Sequence, residues 1–141
     1  MSHTPYAPME VRIYYEDTDC GGVVYYANYL KYFERARTDY LERCGLSVAQ
    51  LMQEGTVFMV VRAEADYRSP ARYGETLHIE TTLDASKNAS FTFAHVIREK
   101  QSGRLVVEGS ATLVPTGPNG KLKRLAAELK AALLAPPKGE S

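Results

Sequence analysis

Residues 15–29 have the sequence YEDTDCGGVVYYANY, and this stretch decides how the chain is organised. Before it, apolar residues alternate with polar neighbours over residues 11–15, which is typical of a strand. Two acids and the pair Gly21-Gly22 interrupt that strand. Over residues 24–44 the apolar side chains recur every three or four positions, which predicts a long amphipathic helix. The order therefore predicts a carboxylate beside the start of a helix.

A carboxylate in that place has a chemical use. The first turn of a helix carries backbone N–H groups without intrahelical partners, at the positive end of the helix dipole. Such N–H groups can hold the oxygen of a carbonyl while a nearby carboxylate acts on its carbon. Residues 15–29 are therefore predicted to form a hydrolytic or acyl-transfer site.

The composition suits a single domain over residues 1–141 and excludes several function classes. With 17 basic and 17 acidic residues the net charge is zero, which argues against broad binding to nucleic acid or anionic membrane. Two cysteines form no disulfide framework, so we expect a cytoplasmic protein. No apolar stretch approaches the roughly 18 residues of a membrane span. Residues 1–9 are predicted to be a loose arm without signal-peptide character, and residues 135–141 a disordered tail.

The rest of the chain predicts an α+β fold. Ser47 with Gln50 forms a capping pattern that opens a short helix, and Gly55 closes it. Strand patterns follow, and then a helical one; their ranges are 57–69, 77–86, 91–100 and 105–115 for the strands and 121–134 for the helix. Short connections favour antiparallel neighbours. Because helices and strands are segregated, a long central helix wrapped by a curved five-stranded antiparallel sheet satisfies every segment.

One family shares the dense motif at the start of the chain. The sequence YYEDTDCGGVVY at residues 14–25, followed by ANY at 27–29 and FERART at 33–38, resembles the hotdog-fold acyl-CoA thioesterases. The nearest branch is that of the tol-pal-associated thioesterases, with the 4-hydroxybenzoyl-CoA thioesterases as relatives. The match is dense over residues 11–45 and looser to about residue 125. The resemblance implies a hotdog fold and hydrolysis of acyl-CoA or acyl-carrier-protein thioesters.

The resemblance places the catalytic carboxylate of the family at Asp19. A thioester carbonyl is electrophilic and thiolate leaves readily, so one carboxylate can suffice. It either attacks the carbonyl to form an anhydride or deprotonates a water, and the sequence leaves both routes open. The alternative is that Asp19 only caps the helix or forms a turn. Glu16 and Asp17 are interpreted as turn or solvent-facing residues.

Tyr26 is the second predicted catalytic residue. The resemblance implies that its backbone N–H points at the thioester oxygen as a donor at the helix start. The tol-pal branch usually has histidine at this position, so a mechanism with an imidazole base does not carry over. The alternative for the Tyr26 side chain is packing with Tyr25 and Tyr29.

Substrate-binding residues are predicted in two groups. Gly22, which allows close backbone approach, is grouped with Val24 and Tyr25 beside the catalytic residues. The resemblance adds residues where relatives contact the nucleotide end of coenzyme A, often from a neighbouring subunit; these are Lys87, Ser90, Lys123 and Arg124. For each of them a solvated surface position is the alternative. The tyrosines clustered at residues 25–32 suit an aromatic or short acyl group, or equally a core.

The remaining reactive side chains receive no catalytic role. A thiol nucleophile at Cys20 would need a base, and no cysteine–histidine signature accompanies it. The family usually has a small residue at this position, so the resemblance implies that Cys20 is a space-filler. His78 and His95 are interpreted as strand residues, exposed or satisfied in the core. No spacing typical of a metal site is present, and we expect neither metal nor cofactor.

An exposed sheet edge must be covered in a soluble protein. The family covers it by joining the sheets of two subunits, so the resemblance implies a homodimer or homotetramer with the active site at the subunit boundary. Two rival functions differ from thioester hydrolysis. Hotdog enoyl-CoA hydratases carry an Asp-x-Asn-Pro-x-His pattern, which this chain lacks. The other is a non-catalytic acyl-binding or scaffold protein, which would recruit acyl carrier protein or envelope lipid-synthesis enzymes at the inner membrane. Such a protein would retain acyl-CoA without turnover.

Overall fold

A computed structural model describes residues 8–87, 89–124 and 126–134 of the chain. The strands are β1 (Met9–Arg12), β2 (Val57–Tyr67), β3 (Thr76–Lys87), β4 (Ser90–Glu99) and β5 (Leu105–Thr116), and the helices are α1 (Asn28–Arg43), α2 (Val48–Gln53) and α3 (Ala127–Leu134). The predicted tail and most of the predicted arm lie outside the described residues. Met9, assigned to that arm, is instead the first residue of β1.

The strands form one sheet in the order β1-β3-β4-β5-β2, and every neighbouring pair is antiparallel. This confirms the predicted α+β class and the predicted five-stranded antiparallel sheet. β2 lies at one edge, paired on one side to β5 alone. Burial alternates strictly along the first eight residues of β4, which shows that one face of the sheet is covered.

α1 covers that face and divides the core into two apolar clusters. The first surrounds the beginning of the helix and includes Tyr29, Phe33 and Ile97. The second surrounds its end and includes Tyr40 and Phe93. No described helix is long and apolar enough to cross a membrane.

Gly109 permits the close approach of α1 to the middle of the sheet. A Cβ atom at this position would lie 2.6 Å from both the ring of Phe33 and the carbonyl oxygen of Glu64. The same Phe33 ring stacks on His95, the residue opposite Gly109 on β4, with ring centroids 4.6 Å apart. The missing side chain of Gly109 therefore makes room for the helix.

A buried polar layer, formed by Arg37, Thr81 and His95, separates the two clusters. His95 is 1% exposed, and its Nδ1 and Nε2 lie 3.0 Å from Thr81 Oγ1 and 3.4 Å from Arg37 Nη1. A guanidinium only donates, so Nε2 accepts and Nδ1 carries the proton. Burial, and then the charge of Arg37, lower the pKa of His95 to about 3. His95 is thus a satisfied core histidine, while partly exposed His78 pairs with Glu10 at 2.8 Å.

Two predicted boundaries at the start of the chain are wrong. The first strand ends at Arg12, and residues Tyr15–Asp17 form a single 3-10 turn. α1 begins at Asn28 rather than near residue 24, because Val23 and Val24 form isolated bridges to other segments. The apolar residues Val23 and Val24 therefore belong to paired, extended backbone and not to the first turn of the helix.

The last helix is also shorter than predicted. α3 begins at Ala127 rather than at residue 121. Leu122 forms a bridge with Thr116, and the N–H of Lys123 donates to the carbonyl of Pro115. Tertiary pairing with β5 overrides the helical spacing there. The predicted cap of α2 is confirmed, since Ser47 Oγ accepts from the N–H of Gln50 at 3.1 Å.

Candidate active site

The loop between β1 and α1 is closed by its own backbone. The N–H of Asp19 donates to the carbonyl of Val23 at 2.8 Å, and the N–H of Gly22 donates to the carbonyl of Asp19 at 3.1 Å. Gly22 has a φ of +79°, a conformation that side-chain-bearing residues rarely adopt. It is exposed, and a Cβ added there would meet nothing within 4 Å. Gly22 therefore both permits the turn and leaves open space above it.

The Asp19 carboxylate is held by one oxygen. Oδ1 accepts from the N–H of Gly21 at 2.8 Å, with a longer contact of 3.5 Å to the N–H of Val23. Oδ2 accepts no hydrogen bond from any described residue, and the side chain is exposed. Of the two alternatives to a catalytic role, Asp19 does form a turn. It does not cap the helix, because the residue preceding α1 is Ala27. The turn orients the carboxylate and leaves an oxygen free to react.

Asp17 secures the loop to the start of α1. Its Oδ2 accepts from the N–H of Tyr14 at 2.9 Å, and its carbonyl accepts from the N–H of Tyr25 and from Nδ2 of Asn28. It is therefore a turn residue, as predicted. Below it, the hydroxyl of Tyr32 is buried without a hydrogen-bond partner among the described residues. Burial, and then the nearby Asp17 carboxylate, raise the pKa of Tyr32 to about 12.

The backbone N–H of Tyr26 is a free donor. The next N–H along the chain, that of Ala27, also has no partner among the described residues, whereas the N–H groups of Asn28, Tyr29 and Leu30 are bonded to the carbonyls three residues earlier. The N–H of Tyr26 pairs with no acceptor in the part of the chain that the structure describes. The α1 dipole favours negative charge at this end of the helix. A thioester oxygen that gains negative charge is therefore suited to this position.

Val24 and Tyr25, both predicted to bind substrate, differ in exposure. Val24 is 5% exposed in the first apolar cluster, and its N–H donates to the carbonyl of Ala71 at 2.8 Å. Its contribution in this structure is therefore packing beneath the loop. Tyr25 is half-exposed, and its ring lies 4.8 Å from that of Tyr26. The neighbouring Tyr26 hydroxyl raises the pKa of Tyr25.

Sequence reasoning missed one residue of this region, Tyr67. Its ring lies 6.3 Å from the ring of Tyr26 and 5.7 Å from the ring of Tyr29. Together with Tyr25 these residues form what we name the tyrosine cluster. Tyr67 is the last residue of β2, 41 positions after Tyr26, and an aromatic residue at a strand end is a weak local signal of a site.

The predicted nucleotide-binding residues lie at the other end of the molecule. Lys87 pairs with Ser90 at the turn between β3 and β4, whereas the Asp19 loop adjoins Ala71 and Arg72, ahead of β3. β3 has 12 residues, so the two ends are separated by about 40 Å. Within one chain, the structure brings these residues to one end and Asp19 to the other.

Lys123 and Arg124 line a cavity of about 550 Å³ between α2 and the segment before α3. Lys123 Nζ donates to Thr56 Oγ1 at 2.9 Å and contacts the carbonyl of Gly55 at 3.4 Å. Arg124 is exposed. Arg124 is therefore the freer cation of the two.

The remaining candidates for reactive chemistry are clusters of metal ligands and the two cysteines. No group of three or more His, Cys, Asp or Glu side chains is placed to hold a metal ion within residues 8–87, 89–124 and 126–134. Cys20 is an exposed thiol and Cys44 is a partly buried thiol. Burial raises the pKa of Cys44.

Comparison with known proteins adds to this geometry. The family model of the Thioesterase-like superfamily matches residues 13–135. The chain is 42% identical over 87 residues to the acyl-CoA thioester hydrolase YbgC of Escherichia coli, covering 62% of this chain and 65% of that protein. The match therefore spans less than two thirds of that relative.

A second relative is matched over more of its length. The chain is 38% identical over 125 residues to the acyl-CoA thioesterase YbgC of Haemophilus influenzae, covering 86% of this chain and 90% of that protein. Among solved structures, a 4-hydroxybenzoyl CoA thioesterase mutant complexed with 4-hydroxybenzoyl CoA superposes with a TM-score of 0.81 at 25% identity, covering 89% and 96% of the two chains.

Proposed function

Because this chain belongs to the Thioesterase-like superfamily, we propose that it hydrolyses acyl-CoA thioesters to a free acid and coenzyme A. The resemblance to hotdog-fold thioesterases, and the hotdog fold that it implied, are confirmed. The observation that carries the proposal is the Asp19 carboxylate, which is oriented through Oδ1 and open at Oδ2. Relatives named as acyl-CoA thioesterases support the same chemistry.

The reaction uses two groups of the loop. The thioester carbonyl oxygen accepts from the N–H of Tyr26, which stabilises the negative charge that develops on it. Asp19 Oδ2 then attacks the carbonyl carbon and expels the thiolate, leaving an anhydride that water opens. In the other route Oδ2 takes a proton from a water that attacks the same carbon, and the thiolate leaves as the tetrahedral intermediate collapses. Both routes consume one water and release one acid and one thiol.

The site is completed by a second copy of the chain. β2 offers an unpaired edge of 11 residues whose apolar side chains Val57, Met59, Val60 and Val61 are all substantially exposed. A long exposed apolar edge is covered in soluble proteins. Two copies related by a two-fold axis pair along the same strand in antiparallel orientation. A homodimer of this kind is the proposed assembly.

Antiparallel pairing of β2 brings opposite ends of the two subunits together. β2 begins at Val57, beside the pocket that holds Lys123 and Arg124, and ends at Tyr67 in the tyrosine cluster. The pocket of the second copy therefore approaches the Asp19 loop of the first. The nucleotide end of coenzyme A lies against Arg124 of one subunit while the thioester lies at Asp19 of the other.

Thiol release from a panel of acyl-CoA and acyl-carrier-protein thioesters tests the activity. Asp19→Asn keeps the Oδ1 acceptor but removes the charge, so kcat/KM is expected to fall at least about 100-fold, roughly 2.7 kcal/mol. Glu16→Gln, a charge removal at an exposed acid of the same loop, is the control and stays within about twofold. No hydrolysis of any member, or full activity in Asp19→Asn, contradicts the proposal and moves the non-catalytic acyl-binding or scaffold function forward.

A kinetic comparison tests the nucleotide contact. Arg124→Ala is expected to raise KM for acyl-CoA about fivefold, roughly 1 kcal/mol, because a charged contact to phosphate is lost. KM for the matching acyl-pantetheine, which lacks the nucleotide, stays unchanged. Equal effects on both substrates contradict the contact.

A charge on the exposed edge of β2 tests the proposed dimer. Val61→Lys is expected to be monomeric in sedimentation, and the monomers are expected to have no activity.

A further inference from the structure

Tyr67 is the member of the tyrosine cluster that the sheet contributes. The other three members come from the loop before α1 and from its first turns. Tyr67 is 50% exposed in the single chain, so its side chain is accessible at the proposed subunit boundary. Its contacts with Tyr26 and Tyr29 make it the sheet residue that borders the proposed oxyanion donor.

The ring of Tyr67 is supported from behind. Tyr29, which it contacts, is buried, and the Tyr29 hydroxyl accepts from the N–H of Ala71 at 3.3 Å. The backbone of Tyr67 is in register with Val107 on β5, and the next N–H, of Arg68, donates to the carbonyl of Val106 at 2.8 Å. Tyr25 and Tyr26 instead belong to the loop before α1 and lie in none of the strands. The sheet therefore fixes the backbone of Tyr67, and its ring lies against the buried ring of Tyr29.

The Tyr67 ring borders the place where the proposed mechanism puts the acyl group. A substrate whose carbonyl oxygen accepts from the N–H of Tyr26 carries its first acyl carbons within one side-chain length of the Tyr26 ring. The Tyr67 ring stands edge-on to that ring, with an angle of 80° between the planes. A short or planar acyl group fits beside two such rings, whereas a long flexible chain meets the Tyr67 ring.

We propose that Tyr67 is a specificity-determining residue whose ring limits the acyl group to short or planar forms. The inference rests on the proposed function, because it places the thioester at Tyr26. It goes beyond that function by assigning the acyl preference to a single side chain on the sheet. A side chain that contacts the acyl group discriminates between substrates by about tenfold to a few hundredfold.

The test compares kcat/KM for octanoyl-CoA and propionyl-CoA. In Tyr67→Ala the octanoyl-to-propionyl ratio is expected to rise about tenfold, and in Tyr67→Leu it rises less. Tyr67→Phe retains the wild-type ratio, because the ring is kept. Tyr73→Ala is the matched control, since Tyr73 is a similarly exposed tyrosine that contacts Tyr15 instead of the cluster.

A binding experiment separates this inference from the proposed function. The dissociation constants of S-octyl-CoA and S-propyl-CoA, thioethers that cannot be hydrolysed, are measured for the same variants. If wild type hydrolyses nothing, the proposed function fails, and the octyl-to-propyl binding ratio still decides the role of Tyr67. A tenfold shift toward S-octyl-CoA in Tyr67→Ala supports the inference. Ratios within twofold of wild type in both folded Tyr67→Ala and Tyr67→Leu overturn it.

Discussion

α1 contacts two groups of polar residues, one at its beginning and one in its middle. At its beginning, the loop around Asp19 leaves a carboxylate oxygen and the N–H of Tyr26 without partners, close to solvent. In its middle, the buried polar layer joins Arg37, Thr81 and His95 to one another and excludes water from His95. The first arrangement suits a ligand, and the second suits the stability of the fold.

The difference teaches that a perturbed pKa does not by itself identify a reactive group. His95 has a pKa of about 3, yet burial is the main cause and both ring nitrogens already have partners. Functional sites often perturb pKa values, but so do satisfied structural networks. What separates the Asp19 loop from the buried polar layer is that a carboxylate oxygen and an N–H group of the loop have no partners and lie close to solvent. Four predictions test this separation, in order of decreasing effect.

His95→Ala is expected to lower the free energy of unfolding by about 3 kcal/mol, because it leaves a cavity and removes the partner of Arg37 and Thr81. Urea unfolding measures the loss. The kcat/KM of the protein that remains folded stays within about threefold of wild type. Asp19→Asn gives the converse pattern, with stability changed by less than about 0.5 kcal/mol. A folded and stable His95→Ala protein with little activity would sink the assignment of the layer to stability.

Gly109→Ala is expected to cost about 2 kcal/mol of stability, because the new Cβ overlaps the Phe33 ring and a backbone oxygen that cannot both retreat. Thermal unfolding checks the effect. Ser110→Ala, next along β5, is the control and stays within about 0.5 kcal/mol. Wild-type stability in Gly109→Ala would show that α1 can shift away from the sheet without cost.

Stability is expected to fall by about 2 kcal/mol in total on acidification from pH 6.5 to 4.5, with a slope that approaches about 1.4 kcal/mol per pH unit in the lower part of that window. The folded pKa of His95, about 3, lies below its unfolded value of 6.5, so the unfolded chain takes up an extra proton, half bound at pH 6.5 and almost fully bound by pH 5.5. Glu10 and Glu99, whose pKa values are lowered from 4.5, add to the loss only below that window.

The matched measurement is the slope for His95→Gln, which has no imidazole to titrate. Its free energy of unfolding should vary much less between pH 6.5 and 4.5 than that of wild type. Identical slopes for the two proteins would mean that the buried histidine does not control acid stability.

Tyr26→Phe is expected to have the smallest effect, a change of less than about threefold in kcat/KM, or about 0.6 kcal/mol. The variant keeps the backbone N–H that is proposed to hold the thioester oxygen and removes only the hydroxyl. Steady-state kinetics on the best acyl-CoA of the panel measures it. A loss comparable to that of Asp19→Asn would assign the chemistry to the phenol instead.

Features that depend on near neighbours in the chain were predictable. The α+β class, the four long strands, the cap at Ser47 and the turn role of Asp17 all arise from local patterns, and the structure confirms them. The catalytic role of Asp19 stays a prediction. The start of α1 was wrong because Val23 and Val24 bridge to distant backbone, an interaction that helical spacing does not reveal.

By itself the sequence determined the order of the elements and the loop that presents Asp19, because turns, caps and amphipathic periods act over a few residues. Only the tertiary structure decided that Tyr67 joins Tyr26 and that His95 meets Arg37 beneath Phe33. These contacts join residues 41 and 58 positions apart. They depend on strand register and on the depth at which α1 settles over Gly109, which are set when the whole core packs.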